Sequence, residues 1–287
     1  MAPNWSFGRN RFLAHRFGEI LESSGVTVYY CQGDVDHNRT VTAYSGLPDQ
    51  LEAVTMELAK EAFAAIDLNH HVGVHPRVGA LDVCPVVRMP GDKSPESEAA
   101  AQALVSRLGE RIAEEFAVPV FLYEHSETGK HPFDLPSLRK GGFGGLVGKI
   151  LTPDFGPSTA NPLLGVSIIG FRDFLIAMNV NLRSPNPGVA KTLASRIRDL
   201  RKDEPGFEGV RALGFLLQSR KQSQVSLNLT MPDRTPIDPI LEWVRKHAEI
   251  AGVAVAANEL IGVIREQDLE HATRLPYKPQ QVVERID

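Results

Sequence analysis

The run Phe174-Leu175-Ile176-Ala177-Met178-Asn179-Val180-Asn181-Leu182 reads as a strand, and the elements after it set the fold. A helix is predicted over Pro187 to Arg201 and strands over Val210 to Gln218 and Gln224 to Thr230. A second helix runs over Pro236 to Ala251, and a last strand lies within Val253 to Val263. This β-α-β-β-α-β order is the split, ferredoxin-like arrangement: an antiparallel sheet with both helices on one face. Toward the N-terminus the pattern is related but longer. A helix over 9–24 stops at Gly25, and a strand comes next over Val26 to Cys31. After a polar turn over Gly33 to Asn38, a second strand over Arg39 to Tyr44 is expected to pair antiparallel with the first. Pro48 opens a helix to Ile66. Then come a buried strand over Ala80 to Val87, a helix over Ser94 to Phe116 and a strand over Val118 to Tyr123. Residues 125–160 are rich in Gly and Pro, with one helix near Leu135 to Lys140 and another short one near Leu146. The expected class is α/β (α+β), with mixed or antiparallel sheets and helices on the outer faces. Two subdomains are expected, over 1–173 and 174–287, with a ligand cleft between them.

Composition narrows the function classes. The 287 residues are 43% hydrophobic and 23% charged, with a net charge of -4. Such a chain can bury a sizeable core and is not expected to be disordered. No basic face suited to nucleic acid stands out. Arg196 to Lys202 holds four basic residues among seven, and at helical spacing this reads as a solvated helix face. No apolar run approaches the ~20 residues of a membrane span, and no secretory leader is evident. Cys31 and Cys84 fit no metal spacing; a disulfide between them stays open, while both sit in apolar, strand-like runs where buried free thiols are common. A cytoplasmic protein is expected.

The polar stretch Asp67 to Gly79 carries His70, His71 and His75 among Gly73, Pro76 and Gly79. His75 is the leading candidate. Histidine exchanges protons near neutral pH, proline fixes the backbone beside it, and the glycines permit close approach of a ligand. A loop histidine that only bonds backbone is the alternative. His70, His71, His75 and Asp67 have partly suitable spacing for a metal, but there is no HExxH signature, so no metal is expected. Asp34-Val35-Asp36-His37-Asn38-Arg39 lacks the glycine and glutamate of a calcium loop. It reads either as a plain hairpin turn or as a mount for Arg39, which can grip a carboxylate. Pro153-Asp154-Phe155-Gly156-Pro157-Ser158 has no kinase context and begins a rigid loop with exposed amides. Gly141 to Gly145 is outside any strand-turn-helix context and reads as a flexible loop.

Taken together, these segments resemble the formiminotransferase family. The likeness is carried by Pro3-Asn4-Trp5-Ser6, Asn38-Arg39-Thr40-Val41, Ile66-Asp67 and the run from His75-Pro76-Arg77 to Cys84-Pro85. It continues through Val118-Pro119-Val120, Pro153-Asp154-Phe155-Gly156-Pro157, Phe174 to Ala177, Asn179 to Leu182, Gln224-Val225-Ser226 and Glu259 to Gly262. The resemblance implies two α/β subdomains with a charged tunnel between them, and a homodimer. It implies a transferase that moves a formimino group from N-formimino-L-glutamate to N5 of tetrahydrofolate, in histidine breakdown. Tetrahydrofolate is the co-substrate. His75 then matches the acid/base, and Gly156-Pro157-Ser158-Thr159-Ala160-Asn161-Pro162-Leu163-Leu164-Gly165 matches the folate segment. Arg39 and Arg77, with Asn4 and Ser6, are assigned to the substrate. A cyclodeaminase, fused in some relatives, would here be a separate protein.

Three positions depart from the family pattern. Phe7 stands where a glutamate is usual, Val74 replaces the glutamate before His75, and Gln32 takes an acidic position. Fewer acids around His75 would lower its pKa. This keeps two further functions open: a related folate-dependent transferase with another amine substrate, such as formiminoglycine, and a folate-binding protein without activity. If Phe7 and Val74 fill the amino-acid pocket, the glutamate reading weakens.

Overall fold

Helix boundaries obey the capping chemistry closely. Asn10 Oδ1 accepts the Leu13 N–H at 3.0 Å and starts α1 (Arg11–Ser23). Pro48 begins α2 (Pro48–Ala65). Ser94 caps α3 (Pro95–Phe116), whose first turn holds Glu96 and Glu98 and which ends at Ala117 in the left-handed region. The computed structural model describes residues 1–131 and 135–286. The chain divides into two units, Met1–Arg88 with Asp92–Arg172, and Met89–Gly91 with Asp173–Asp287.

The first unit is built on β1 (Asn4–Trp5), β2 (Thr27–Asp34), β3 (Arg39–Ser45), β4 (Leu81–Val86), β5 (Val120–Leu122) and β6 (Ser167–Phe171). They form one mixed sheet in the order β2-β3-β1-β4-β6-β5. β2, β3, β1 and β4 pair antiparallel, while β6 lies parallel to both β4 and β5. Alternate residues serve opposite faces. Cys84, Val86, Val120, Leu122, Ile169 and Phe171 join Phe17, Leu58 and Leu108 in the main core with the three helices. Val83, Phe121, Tyr123 and Ile168 face a smaller cluster covered by Leu135, Leu138, Leu146 and Leu151.

Several sequence expectations need correction here. β6 was not anticipated: it is buried on both faces, so it lacks the alternation that marks a half-exposed strand. It also contains Gly170, where a Cβ would sit 2.3 Å from the Tyr123 carbonyl oxygen. The short helix expected near Leu146 is a 3-10 helix over Phe143–Gly145 that takes in part of the Gly-rich run read as a flexible loop, and the Phe143 N–H donates to the Arg77 carbonyl at 2.9 Å. The short helix α4 (Leu135–Leu138) stops just before Arg139. Cys31 and Cys84 are free, and burial pushes their thiols up to about 11 and about 12.

The second unit contains β7 (Ile176–Leu182), α5 (Pro187–Leu200), β8 (Val210–Leu217), β9 (Gln222–Leu229), α6 (Ile237–Ile250) and β10 (Val255–Ile261). The sheet order is β10-β7-β9-β8 with every pair antiparallel, the ferredoxin-like arrangement. Ile176, Met178, Val180 and Leu182 point into one core with Leu193 and Ile197 of α5 and Leu241 and Val244 of α6. Gly214 lets α5 settle on β8, since a Cβ there would lie 2.4 Å from the Lys191 nitrogen. On the opposite face Gln224 donates to Asn181 Oδ1 at 2.8 Å.

Candidate active site

The site grows from the hairpin turn between β2 and β3. Asp34 Oδ1 accepts the N–H groups of Asp36 and His37, each at 2.8 Å, and Asn38 adopts a φ of 47°. Asn38 Oδ1 takes the Gly8 N–H at 2.9 Å, and its amide donates to the Val72 carbonyl at 3.1 Å. The loop carrying the histidines is laced onto this turn. The Val74 N–H donates to the Asp36 carbonyl at 3.0 Å, and His71 Nε2 lies 2.8 Å from the Asn38 carbonyl. A Cβ at Gly73 would stand 2.2 Å from the His37 carbonyl oxygen. Gly73 therefore serves close approach of the hairpin backbone, where the sequence pattern suggested approach of a ligand. The segment is a hairpin turn, and the Arg39 that follows it is committed to the chain's own Asp82, Asn4 and Pro76.

His75 sits where the loop turns back toward β4. Its Nδ1 lies 2.7 Å from the Pro76 carbonyl oxygen, so Nδ1 carries the proton and Nε2 the lone pair. The His37 ring lies beside it, with centroids 5.8 Å apart. Arg39 reaches the same carbonyl: its Nη2 donates to Pro76 O at 3.1 Å while Nη1 donates to Asn4 Oδ1 at 3.0 Å. Arg39 also pairs with Asp82, whose carboxylate is fully buried and whose Oδ1 accepts the Val78 N–H at 2.7 Å. Arg139, delivered just after α4, pairs with the same Asp82 Oδ2. One carboxylate thus faces two guanidiniums. Burial lowers Arg39 to about 9 and, with Arg39 nearby, depresses Arg139 strongly. Burial holds the His75 imidazole well below the usual histidine range, and Arg39, Arg139 and His37 add to that.

The other expected residues fall into distinct positions. Arg77 donates through Nη2 to the His71 carbonyl, and its own carbonyl takes the Phe143 N–H. Ser6 is buried and donates to the Gly79 carbonyl at 2.6 Å, so it supports the loop from beneath. In Gly156 to Gly165 the two halves differ. Gly156, Pro157, Ser158 and Thr159 are exposed. The second half is tied to the start of the histidine loop: the Leu68 N–H donates to Leu163 O and Asn69 Nδ2 to Pro162 O, both at 2.9 Å. Asn161 Oδ1 accepts the N–H groups of Leu163 and Leu164 at 3.0 Å. Asp154 is committed to structure, accepting the Leu122 N–H and contacting His131 Nε2, both at 2.7 Å.

Comparison with known proteins fits this arrangement. Residues 1–172 match the formiminotransferase domain, N-terminal subdomain, and residues 177–284 match the formiminotransferase domain. The chain is 36% identical over 276 residues to glutamate formimidoyltransferase of Thermoplasma acidophilum, covering 93% of this chain and 88% of that one. It is 33% identical over 266 residues to glutamate formimidoyltransferase of Streptococcus pyogenes, covering 91% and 87%. The chain belongs to the formiminotransferase family. It is a transferase. Formimidoyltransferase-cyclodeaminase of Sus scrofa is 33% identical over 269 residues, and this chain spans 49% of that protein's length.

The structure separates the three positions at which the sequence pattern suggested a departure, Phe7, Gln32 and Val74. Phe7 is buried in the core, edge-on to Phe17 at 4.9 Å, so it does not fill a pocket at His75. Gln32 is exposed on β2. Val74 adjoins His75, and its N–H is tied to the hairpin turn. Sequence reasoning missed Asp82, Arg139 and His37 as site residues. Asp82 had a signal: a charged side chain inside a buried strand must be paired. Arg139, far along the chain beyond α3 and β5, had none.

Proposed function

We propose that the protein moves the formimino group of N-formimino-L-glutamate to N5 of tetrahydrofolate, with His75 as acid and base. The observation that carries this is the fixed His75 tautomer, Nδ1 bonded to Pro76 O, which presents Nε2 as a base beside Arg39. N5 attacks the amidine carbon and forms the new C–N bond. His75 Nε2 takes the proton that N5 must lose. It then gives that proton to the glutamate nitrogen as the old C–N bond breaks, leaving glutamate and 5-formiminotetrahydrofolate. Arginine side chains hold carboxylates and the enzyme positions the two reactants. Gly156 to Gly165 is the segment assigned to folate, and its tie to Asp67–Asn69 supports that assignment. The proposed setting is a cytoplasmic homodimer in histidine breakdown, with a cyclodeaminase taking the product onward.

The test is tetrahydrofolate with N-formimino-L-glutamate, followed at the formimino-folate absorbance, for wild type and His75→Ala. The expected loss is about 10²–10⁴-fold. An unchanged rate would remove His75 from the mechanism. Val74 beside His75 favours one second reading, in which the amine substrate is smaller, such as formiminoglycine. Turnover of formiminoglycine but not of formiminoglutamate would select it.

A further inference from the structure

Three arginines surround the histidine loop, and they are not equally occupied. Arg39 spends its donors on Asn4, Pro76 and Asp82. Arg77 Nη2 is held by the His71 carbonyl. Among the described residues, Arg139 has only the carboxylate that it shares with Arg39. Buried side-chain nitrogens without a hydrogen-bond partner, again among the described residues, include Arg139 Nε and Arg77 Nε. A buried guanidinium N–H without an acceptor is costly, and a second cation on an already neutralised carboxylate adds to that cost. Both costs vanish when an anion with free lone pairs enters. The chain of contacts from His75 to Pro76 O, Arg39, Asp82 and Arg139 brings the Arg139 guanidinium toward the imidazole.

We propose that Arg139 anchors the α-carboxylate of the amino acid whose formimino nitrogen His75 serves. This rests on the function proposed above and narrows it. A carboxylate one carbon from the reacting nitrogen is the acceptor that can reach both Arg139 and His75. The side-chain carboxylate of glutamate is several bonds further away. Formiminoglycine keeps the required group, so Arg139 accommodates either amine substrate, and other features choose between them. Binding also changes the histidine. A carboxylate beside Arg139 offsets the positive charge that Arg39 and Arg139 direct at the ring, so His75 holds a proton more readily once the amino acid is in place. The ring would accept the N5 proton only in the loaded site.

The experiment measures binding without tetrahydrofolate, so that nothing reacts. N-formimino-L-glutamate, formiminoglycine and 4-formimidoylaminobutyrate, which lacks the α-carboxylate, are titrated by calorimetry into wild type, Arg139→Lys and Arg139→Gln. Wild type should prefer the two α-carboxylates over the butyrate by about 10- to 100-fold. Arg139→Gln should lose that preference, and Arg139→Lys should keep part of it. The ¹⁵N titration of His75 should move up on binding in wild type and stay put in Arg139→Gln. Equal preference in Arg139→Gln, no binding by wild type, or a parallel fall in tetrahydrofolate affinity would overturn the proposal. Melting curves for both variants separate loss of fold from loss of binding. Wild type that shows the preference yet transfers no formimino group would sink the proposed function and leave the anchor standing.

Discussion

A buried arginine cluster in each unit can be compared, and the two charge balances are opposite. In the second unit Arg265 donates Nε and Nη2 to the two oxygens of Asp268 at 2.7 Å, and Nη2 also lies 2.7 Å from Asp233 Oδ1. The Phe174 ring closes one side, 5.6 Å from Cζ. One cation meets two carboxylates in fork geometry. Burial pulls its pKa down, and Asp268 and Asp233 more than offset that. In the first unit two cations meet one carboxylate, and burial leaves both depressed. A surplus of carboxylate secures a guanidinium and holds the chain in place. A surplus of guanidinium, with N–H groups left unmet, is a poor way to hold a fold and a good way to hold an anion.

The largest test of this contrast is Asp82→Asn. It leaves two guanidiniums buried without a counter-charge, and urea unfolding should show a loss of about 3–5 kcal/mol. Asp268→Asn should cost less, about 1.5–3 kcal/mol, because Asp233 still serves Arg265. If the two substitutions cost the same, the clusters are equivalent and the charge argument fails. The next test reverses sign. Arg139→Met removes the surplus cation and should leave stability unchanged or raise it by about 1 kcal/mol, at the expense of activity. Arg265→Met should destabilise, since it strands Asp268. A clear loss of stability in Arg139→Met would make that residue a structural strut.

The contrast also explains what could be read from the chain alone. The second unit was legible almost throughout, because its strands are regular and its helices are opened by Pro187 and by Pro236. Local rules fixed each element, and their order fixed the sheet. In the first unit the histidine loop was legible from its composition, and Asn4, Arg39, His75 and Arg77 do gather around it. The pairing of Asp82 with Arg139 was not legible, for no local rule links residues brought together by a loop between β5 and β6. His37 was hidden for a related reason: a turn residue shows its neighbour only when the loop that packs on it is known.

The smallest effect concerns acid. Burial pushes His71 down to about 4, with Arg77 and Arg39 acting in the same direction against the bond to Asn38. The unfolded chain takes up this proton as pH falls through about 6.5, and the folded chain resists until about 4. His71 should therefore cost the first unit on the order of 1 kcal/mol across that window after allowing for partial exposure, and the buried His75 and Met1 ammonium, both lowered by burial, add to the loss. In the second unit burial raises Asp238, but Thr273 and Arg274 hold it below the usual carboxylate range, so its contribution is present at neutral pH and is lost only as pH falls below about 4. The two tryptophans report separately: Trp5 is buried in the first core, and Trp243 stacks on His247 in the second, 3.9 Å between centroids. With Trp243→Phe and Trp5→Phe variants, urea melts at about pH 7 and about pH 5 should show the Trp5 midpoint falling while the Trp243 midpoint holds. Coincident shifts would mean that the two cores unfold as one. The acid response would then belong to the whole chain and not to the site.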